Sequence, residues 1–471
     1  MMRLLLVMLA GSGLFAQDYD TVILGGRVID PESKLDAVRN VGITGGTIRE
    51  VSEKPLRGRT AIDAKGLVVS PGFIDLHRHG QDEEAYRYQA MDGVTTGFEL
   101  EVGTDDVDRW YEAREGKAAV NHGVSIGHVP VRMAVMKDPG TFLPSGDAAK
   151  RAATDEEITE FKRRMERGLQ RGAVAAGFGV AYTAAASRWE ILEMFRVAAR
   201  FGASCHVHMR SAAGGGSPEE GLQEVIAAAA VTGAPLHVVH INSSALKLTP
   251  RLLGMIGEAR ERGMDVSTEC YPYTAGATRI ETALFDSWTN RPAADYAMIQ
   301  WAATGERLTA ETFARYRKTG GRIIVHTNTE EMVEAAVKHP LTMIASDGGA
   351  FQDGTGHPRS AGCYSRILGV YVRERKLIRL DEAIGKMTLM PALRLERRVP
   401  AMKNKGRIRA GADADITVFD PASIRDHSTY ERAAAYSEGV RHVVVSGVPV
   451  VRNGRLTGAT PGRGVRAAVQ R

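Results

Sequence analysis

Apolar and polar positions alternate with period two through residues 19–69, in "YDTVILGGRVID", "RNVGITGGTIREV" and "GLVVSPG", with glycine-bearing turns between the runs. Successive side chains of a strand point to opposite faces, so this period predicts a small β unit. The same texture returns beyond about Lys405, in "KGRIRAGADADITVFDP" and "GVRHVVVSGVPVVRNGRL". Both ends of the chain read as β-rich.

The middle changes rhythm. Short apolar runs alternate there with long helical patterns such as "DEEITEFKRRMERGLQRG", "SRWEILEMFRVAARFG" and "PEEGLQEVIAAAAVTG". Eight runs read as strands, at 72–77, 94–101, 124–129, 173–179, 204–208, 236–241, 265–270 and 342–346. Eight strands alternating with helices close a parallel (β/α)8 barrel of the TIM type. A doubly wound open sheet shares the local rhythm but favours a glycine-rich phosphate turn after its first strand, and "HRHGQDEEAYRY" has none. The barrel is expected over residues 71–400. Residues 274–340 exceed an ordinary βα connection, and "RIETALFDSW" and "AETFARYRKTGG" predict an inserted helical segment there.

Composition narrows the partners. Of 471 residues 44% are hydrophobic, enough for a large core, and 61 basic against 56 acidic side chains leave a net charge of +5. So small an excess over such a length forms no dense basic stripe, so nucleic acid is not an expected partner. The first residues, "MMRLLLVMLAGSGLFAQ", carry an early arginine, an apolar run and a small residue near a cleavage point, the pattern of an export signal over residues 1–17. A periplasmic or secreted protein follows. The run is too short to anchor the chain stably in a membrane. Three cysteines, Cys205, Cys270 and Cys363, are widely spaced, which favours packed free thiols over a disulfide framework.

Barrel enzymes carry their chemistry at the C-terminal ends of the strands, and the polar residues at those ends form a coherent set. In "PGFIDLHRHG" Asp75, His77 and His79 share one strand face, with the two histidines at the end of the strand and Asp75 supporting the strand or a ligand. Glu99 and Glu101 end the second strand, and the later one lies nearer the mouth; Glu101 is the favoured ligand and Glu99 the alternative. The fifth strand offers His206 and His208, of which His208 lies nearer the rim. On the sixth, His240 lies nearer the rim than His237, which reads as an outer supporting or merely packed group. Asp347 follows the eighth run directly. Imidazoles with carboxylates and no thiolate suit one or two zinc ions or similar divalent cations. Asp347 would bind metal, take the proton of metal-bound water as the catalytic acid/base in hydrolysis of an amide, or do both.

Through "PGFIDLHRHG", "DGVTT", the later strand-end histidines and "ASDGG", the chain resembles the amidohydrolase superfamily nearly end to end. Within it "VHMRS", "ECYPYTAGAT" and "SDGG" followed by "HPRSAGCYSRILGVYVRE" resemble the D-aminoacylase branch, the N-acyl-D-amino-acid deacylases. The resemblance implies that residues 18–70 and 401–471 join in a small β-sandwich beside the barrel. It implies His77 and His79 at one metal position, His208 and His240 at the other, and Asp347 as acid/base. Arg359 would read the carboxylate of an N-acyl amino acid substrate, a task suited to the two parallel hydrogen bonds of a guanidinium. Tyr271 and Tyr273 of "YPY" would line the site and donate to the substrate or the developing oxyanion, or else pack, with Tyr271 the one favoured at the site.

Two departures stand out. The D-aminoacylases carry "GNCG" after the second strand, with cysteine as a ligand, where this chain reads "ELEVG". A carboxylate takes that place: Glu101, one residue short of the cysteine in a gapless match, or Glu99. Those enzymes usually have lysine two residues beyond the sixth-strand histidine, and here Asn242 stands there, so substrate recognition is expected to differ. Acyl-D-glutamate or acyl-D-aspartate is one option. Cyclic amidases of the superfamily bridge two metals with a fourth-strand lysine, which "GAVAAGFGVAYTA" lacks. Linear amide hydrolysis is therefore the main expectation, a cyclic amidase, imidase or isoaspartyl-type dipeptidase the alternative, and a catalytically silent binding barrel the third reading.

Overall fold

The computed structural model describes residues 19–210 and 216–470. The leader-like residues 1–17 lie outside the described residues. Eight parallel strands form one sheet: Phe73–Asp75, Val94–Thr104, Asn121–Gly127, Ala176–Gly179, Cys205–His208, Leu236–Val238, Val266–Cys270 and Thr342–Ile344, each hydrogen-bonded to the next in chain order. All eight predicted runs are strands, shifted by a few residues at their ends. Their side chains are buried on both faces almost throughout, as expected of a parallel sheet wrapped in helices.

The seam between the first and eighth strands is drawn together by Asp75. Its Oδ1 accepts from the backbone N–H groups of Ser346 at 3.0 Å and His77 at 3.2 Å, and its Oδ2 from the Ser346 hydroxyl at 2.5 Å. A parallel bridge between Arg78 and Gly348 continues the closure. Asp75 thus supports the barrel and both chain segments that end in site residues.

The helices form where the sequence places their start signals. Thr154 and Glu157 make a reciprocal capping box at the head of Asp155–Gln170, and Ser217 with Glu220 does the same for Pro218–Thr232. Along the first of these, Ile158, Phe161, Met165 and Leu169 recur at helical spacing and are buried.

Strands from both ends of the chain share one nine-stranded sheet, in which Val68–Pro71 pairs with Tyr19–Asp30 on one side and with Ile416–Phe419 on the other. It has its own apolar core, with Ile23, Val41, Ile43 and Ile48 meeting Ile408, Ile416 and Val444.

The insertion after the seventh strand is helical only in part. "AETFARYRKTGG" forms the expected helix, Ala310–Thr319, and Ala293–Ala297 and Glu330–Lys338 are helices too, but beside them stands a three-stranded antiparallel sheet, with Arg322–Val325 between Gly276–Arg279 and Ile299–Trp301. Runs of three or four residues are too short to register a period, and only pairing makes them strands. "RIETALFDSW" contributes the end of one strand and a single 3-10 turn at Ala283–Phe285. All three cysteines are buried and free. Among the described residues no helix is long and apolar enough to cross a membrane.

Candidate metal centre

Side chains from five strand ends converge at the C-terminal mouth of the barrel. Two overlapping groups, His77, His79, Glu101 and Asp347, and Glu101, His208 and His240, each place their candidate ligand atoms within 4.8 Å of one another. Glu101 belongs to both. Its Oε2 lies 2.7 Å from His77 Nε2 and 3.3 Å from His79 Nε2, while its Oε1 lies 3.0 Å from His208 Nδ1. Asp347 completes the first group, with Oδ1 3.5 Å from His77 Nε2 and 3.3 Å from His79 Nε2, and its Oδ2 lies 4.0 Å from His240 Nε2.

Glu99 does not enter either group. Its Oε2 lies 2.7 Å from His79 Nδ1, and its Oε1 accepts the backbone N–H groups of Val102 and Gly103 at 3.1 and 3.2 Å. The reason is a bulge: against the third strand, Glu99 pairs with Val124 but Thr104 with Ile126, so the intervening second-strand residues loop out around the Glu99 carboxylate. Gly103 permits the turn with a φ of 71°. One glutamate therefore orients a histidine while its neighbour two residues on faces both groups.

Two members sit in strained backbone. His240, at the end of the sixth strand, has φ 31°, and Asp347 has φ 51°, both in the left-handed region that non-glycine residues avoid. His240 Nδ1 is held by the hydroxyls of Ser243 and Ser244 at 3.2 and 3.0 Å, leaving Nε2 to face Asp347.

Charge in the centre suits a cation. Burial would lower the pKa of His77, yet Asp347, Glu269 and Glu101 pull it up to about 10. Burial likewise works against the charge on Asp347, and the Arg359 guanidinium with His77 and His79 holds its carboxyl far below the usual carboxylate range. A cluster that draws protons onto buried imidazoles has an excess of negative charge for a divalent ion to neutralise. Nitrogen and oxygen donors without a thiolate fit zinc or a similar ion.

The centre opens into a cavity of about 540 Å³. Arg359 lines it: Nη2 is 2.8 Å from Asp347 Oδ2, Nε and Nη1 have no hydrogen-bond partner among the described residues, and the guanidinium lies 4.5 Å above the Tyr271 ring. The Tyr271 hydroxyl is buried, without a hydrogen-bond partner among the described residues, and pushed up to about 12, mainly by burial, so it stays a donor. Tyr273 turns away to Asp426, 3.3 Å from its hydroxyl. Asn242, in the place where lysine was noted as usual, donates to the Tyr271 carbonyl at 3.1 Å and so braces that tyrosine. The fourth strand sends Tyr182 to the cavity and no lysine.

Sequence reading missed three groups. Glu269 lies wholly buried beneath the centre, with Oε1 2.7 Å from His77 Nδ1, and its only sequence signal is its place just before "YPY". Arg322 comes from the central strand of the insertion; among the described residues it meets the Ala350 carbonyl and no carboxylate. Ser346 closes the seam beside Asp347. His237 is not at the mouth but below it, and His206 pairs with the Ser204 hydroxyl at 3.1 Å in the barrel interior.

Comparison with known proteins bears on this arrangement. The model of the Amidohydrolase family matches residues 60–122 and 132–451. The chain is 30% identical over 481 aligned positions to an N-acyl-D-glutamate deacylase of Alcaligenes xylosoxydans xylosoxydans, spanning 92% of this chain and 93% of that protein. A D-aminoacylase from the same organism is 28% identical, spanning 95% and 98%. Among solved structures, the N-acyl-D-glutamate deacylase from Bordetella bronchiseptica, complexed with zinc and a phosphonate mimic of the tetrahedral intermediate, superposes with a TM-score of 0.80 at 26% identity, covering 96% of this chain and all of that one.

Proposed function

The chain belongs to the amidohydrolase family, and from that premise we propose that it is a metal-dependent hydrolase that deacylates N-acyl-D-amino acids by cleaving a linear amide. The observation that carries this reading is the position of Asp347, with one oxygen against the His77 and His79 ligand atoms and the other against Arg359. A base at the centre is thereby tied to a guanidinium that still has two donors to give.

His77, His79, Glu101 and Asp347 would hold one divalent cation, and Glu101, His208 and His240 a second. A bound zinc ion supplies Lewis acidity for activating water and polarising an amide carbonyl. The residues do the rest. Asp347, kept as a carboxylate, accepts a proton from the attacking water and returns it to the amine as it leaves. Arg359 grips the substrate α-carboxylate through Nε and Nη1, placing the scissile amide over Asp347. The Tyr271 hydroxyl donates to the oxygen on which charge develops.

Arg322 favours an acidic side chain on the substrate. A guanidinium that lines the cavity without a carboxylate partner is costly to bury unless an anion meets it, and burial holds its pKa down to about 10. Acyl-D-glutamate or acyl-D-aspartate supplies that second carboxylate. The fourth strand, Ala176–Gly179, offers no lysine for the bridging role named above for the cyclic amidases, so the linear amide is the reading that the residues favour. The leader-like residues 1–17 support export from the cytoplasm.

The test is release of free amine from zinc-loaded protein offered N-acetyl and N-formyl derivatives of D- and L-glutamate, aspartate and leucine. Turnover of the D-acidic pair ahead of the others is expected. Turnover of cyclic imides alone would overturn the reading.

A further inference from the structure

We propose that Glu269 and His237 are positioning residues that fix the proton and ring orientation of His77 from inside the barrel, and so set how tightly the centre holds its cation. The inference rests on His77 being a ligand, as argued above.

A continuous column of side chains descends from His77 through the barrel interior. His77 Nδ1 lies 2.7 Å from Glu269 Oε1, and Glu269 Oε2 lies 2.9 Å from His237 Nε2. His237 Nδ1 lies 2.7 Å from the Ser267 hydroxyl, which in turn lies 3.3 Å from Arg394 Nη1. His77, Glu269 and His237 are sealed from solvent. Arg394 reaches a separate cavity of about 520 Å³ at the other end of the barrel, where it pairs with Asp265 at 2.6 Å.

The chemistry of each partner leaves one arrangement of protons. A carboxylate only accepts, so Glu269 takes a hydrogen from His237 Nε2. The Nδ1 of that neutral ring is then an acceptor, and the Ser267 hydroxyl, which accepts from Arg394, donates to it at 2.7 Å rather than to the Leu236 carbonyl at 3.5 Å. The second Glu269 oxygen accepts the hydrogen on His77 Nδ1. Once a cation displaces the hydrogen on Nε2, His77 presents that lone pair to it, at the atom 2.7 Å from Glu101 and 3.5 Å from Asp347. A carboxylate behind a ligating imidazole fixes its tautomer and raises its basicity. Here the carboxylate is itself fixed by three further residues, so the preorganisation extends across the barrel to its far end.

The test measures zinc affinity by chelator competition on the full chain and on Glu269→Gln, His237→Ala and His237→Gln. Glutamine at 269 cannot accept from both histidines, so one tautomer reverses; affinity at the His77 position is expected to fall about 10- to 100-fold. His237→Ala removes a donor to Glu269 and is expected to weaken zinc, whereas His237→Gln returns an N–H there and recovers most of it. Nitrogen NMR of the zinc-loaded protein should show the His77 Nδ1–H signal displaced in Glu269→Gln. Melting temperatures of the metal-free variants separate this from a general loss of packing, which would lower melting without moving affinity. Affinities within twofold of the wild type in Glu269→Gln and His237→Ala would overturn the proposal. If Glu269→Gln does not fold, equal affinities in the two His237 variants do so. A wild type that takes up no zinc would instead reject the metal reading on which the column depends.

Discussion

Arg359 Nη2 lies 2.8 Å from Asp347 Oδ2, so the carboxylate that would move the proton and the guanidinium that would hold the substrate form one unit. Neither group is placed by its own strand alone: Asp347 follows the eighth strand in left-handed backbone, and Arg359 opens the helix Arg359–Arg366. Replacing Asp347 by asparagine keeps the shape and removes the base. Turnover of Asp347→Asn is expected to fall about 10²- to 10⁴-fold with zinc still bound at the His208 and His240 position, as read by steady-state kinetics beside metal analysis. Unchanged turnover would take Asp347 out of the reaction.

The two glutamates of the second strand separate by metal content. Glu101→Gln is expected to lose most bound zinc, because Glu101 faces both histidine groups. Glu99→Gln retains it and shows a smaller loss, since Glu99 touches only the outer nitrogen of His79. The reverse order would move the ligand to Glu99.

Arg322→Met is expected to lower kcat/KM for an acyl-D-glutamate by roughly 10- to 100-fold, the range of one charge-assisted hydrogen bond, and to leave acyl-D-leucine nearly unchanged. Arg359→Lys should instead penalise every substrate with a free α-carboxylate while sparing uncharged amides. Parallel losses in both variants across all substrates would remove the division of labour between the two guanidiniums.

Zinc uptake should release protons. In the metal-free protein the His77 pKa is raised to about 10, so at neutral pH its imidazole is charged, and a cation must displace that proton before binding. Because the pKa is raised, the protonated form dominates below about 10, and apparent affinity rises with pH throughout the neutral range. Calorimetry in buffers of different ionisation enthalpy is expected to report at least one proton released as the His77 position fills; buffer-independent heats would contradict this.

Much of this site is legible in the sequence because period two is a strong signal where it is dense. "DLHRH" puts His77 and His79 on one strand face and "FELEV" does the same for Glu99 and Glu101, and the eight apolar runs at βα spacing fix which ends those groups occupy. The same period could not choose between Glu99 and Glu101, because both share a face; the bulge at 100–103 decides it, and a bulge leaves no mark in the alternation. Glu269 was hidden for another reason. It sits within a strand, Val266–Cys270, where polar residues usually mean a solvated face, and only barrel closure reveals that its face is the interior beneath His77. Arg322 lies on a four-residue strand whose existence depends on pairing with segments over 20 and 40 residues away.

The most direct measurement is a crystal of zinc-loaded protein with anomalous diffraction recorded on either side of the zinc edge. Peaks between Glu101 and the His77, His79 and Asp347 side chains, or between Glu101 and the His208 and His240 side chains, are the expected result. A map with no anomalous peak among these residues, or with zinc only on the protein surface, would contradict the account.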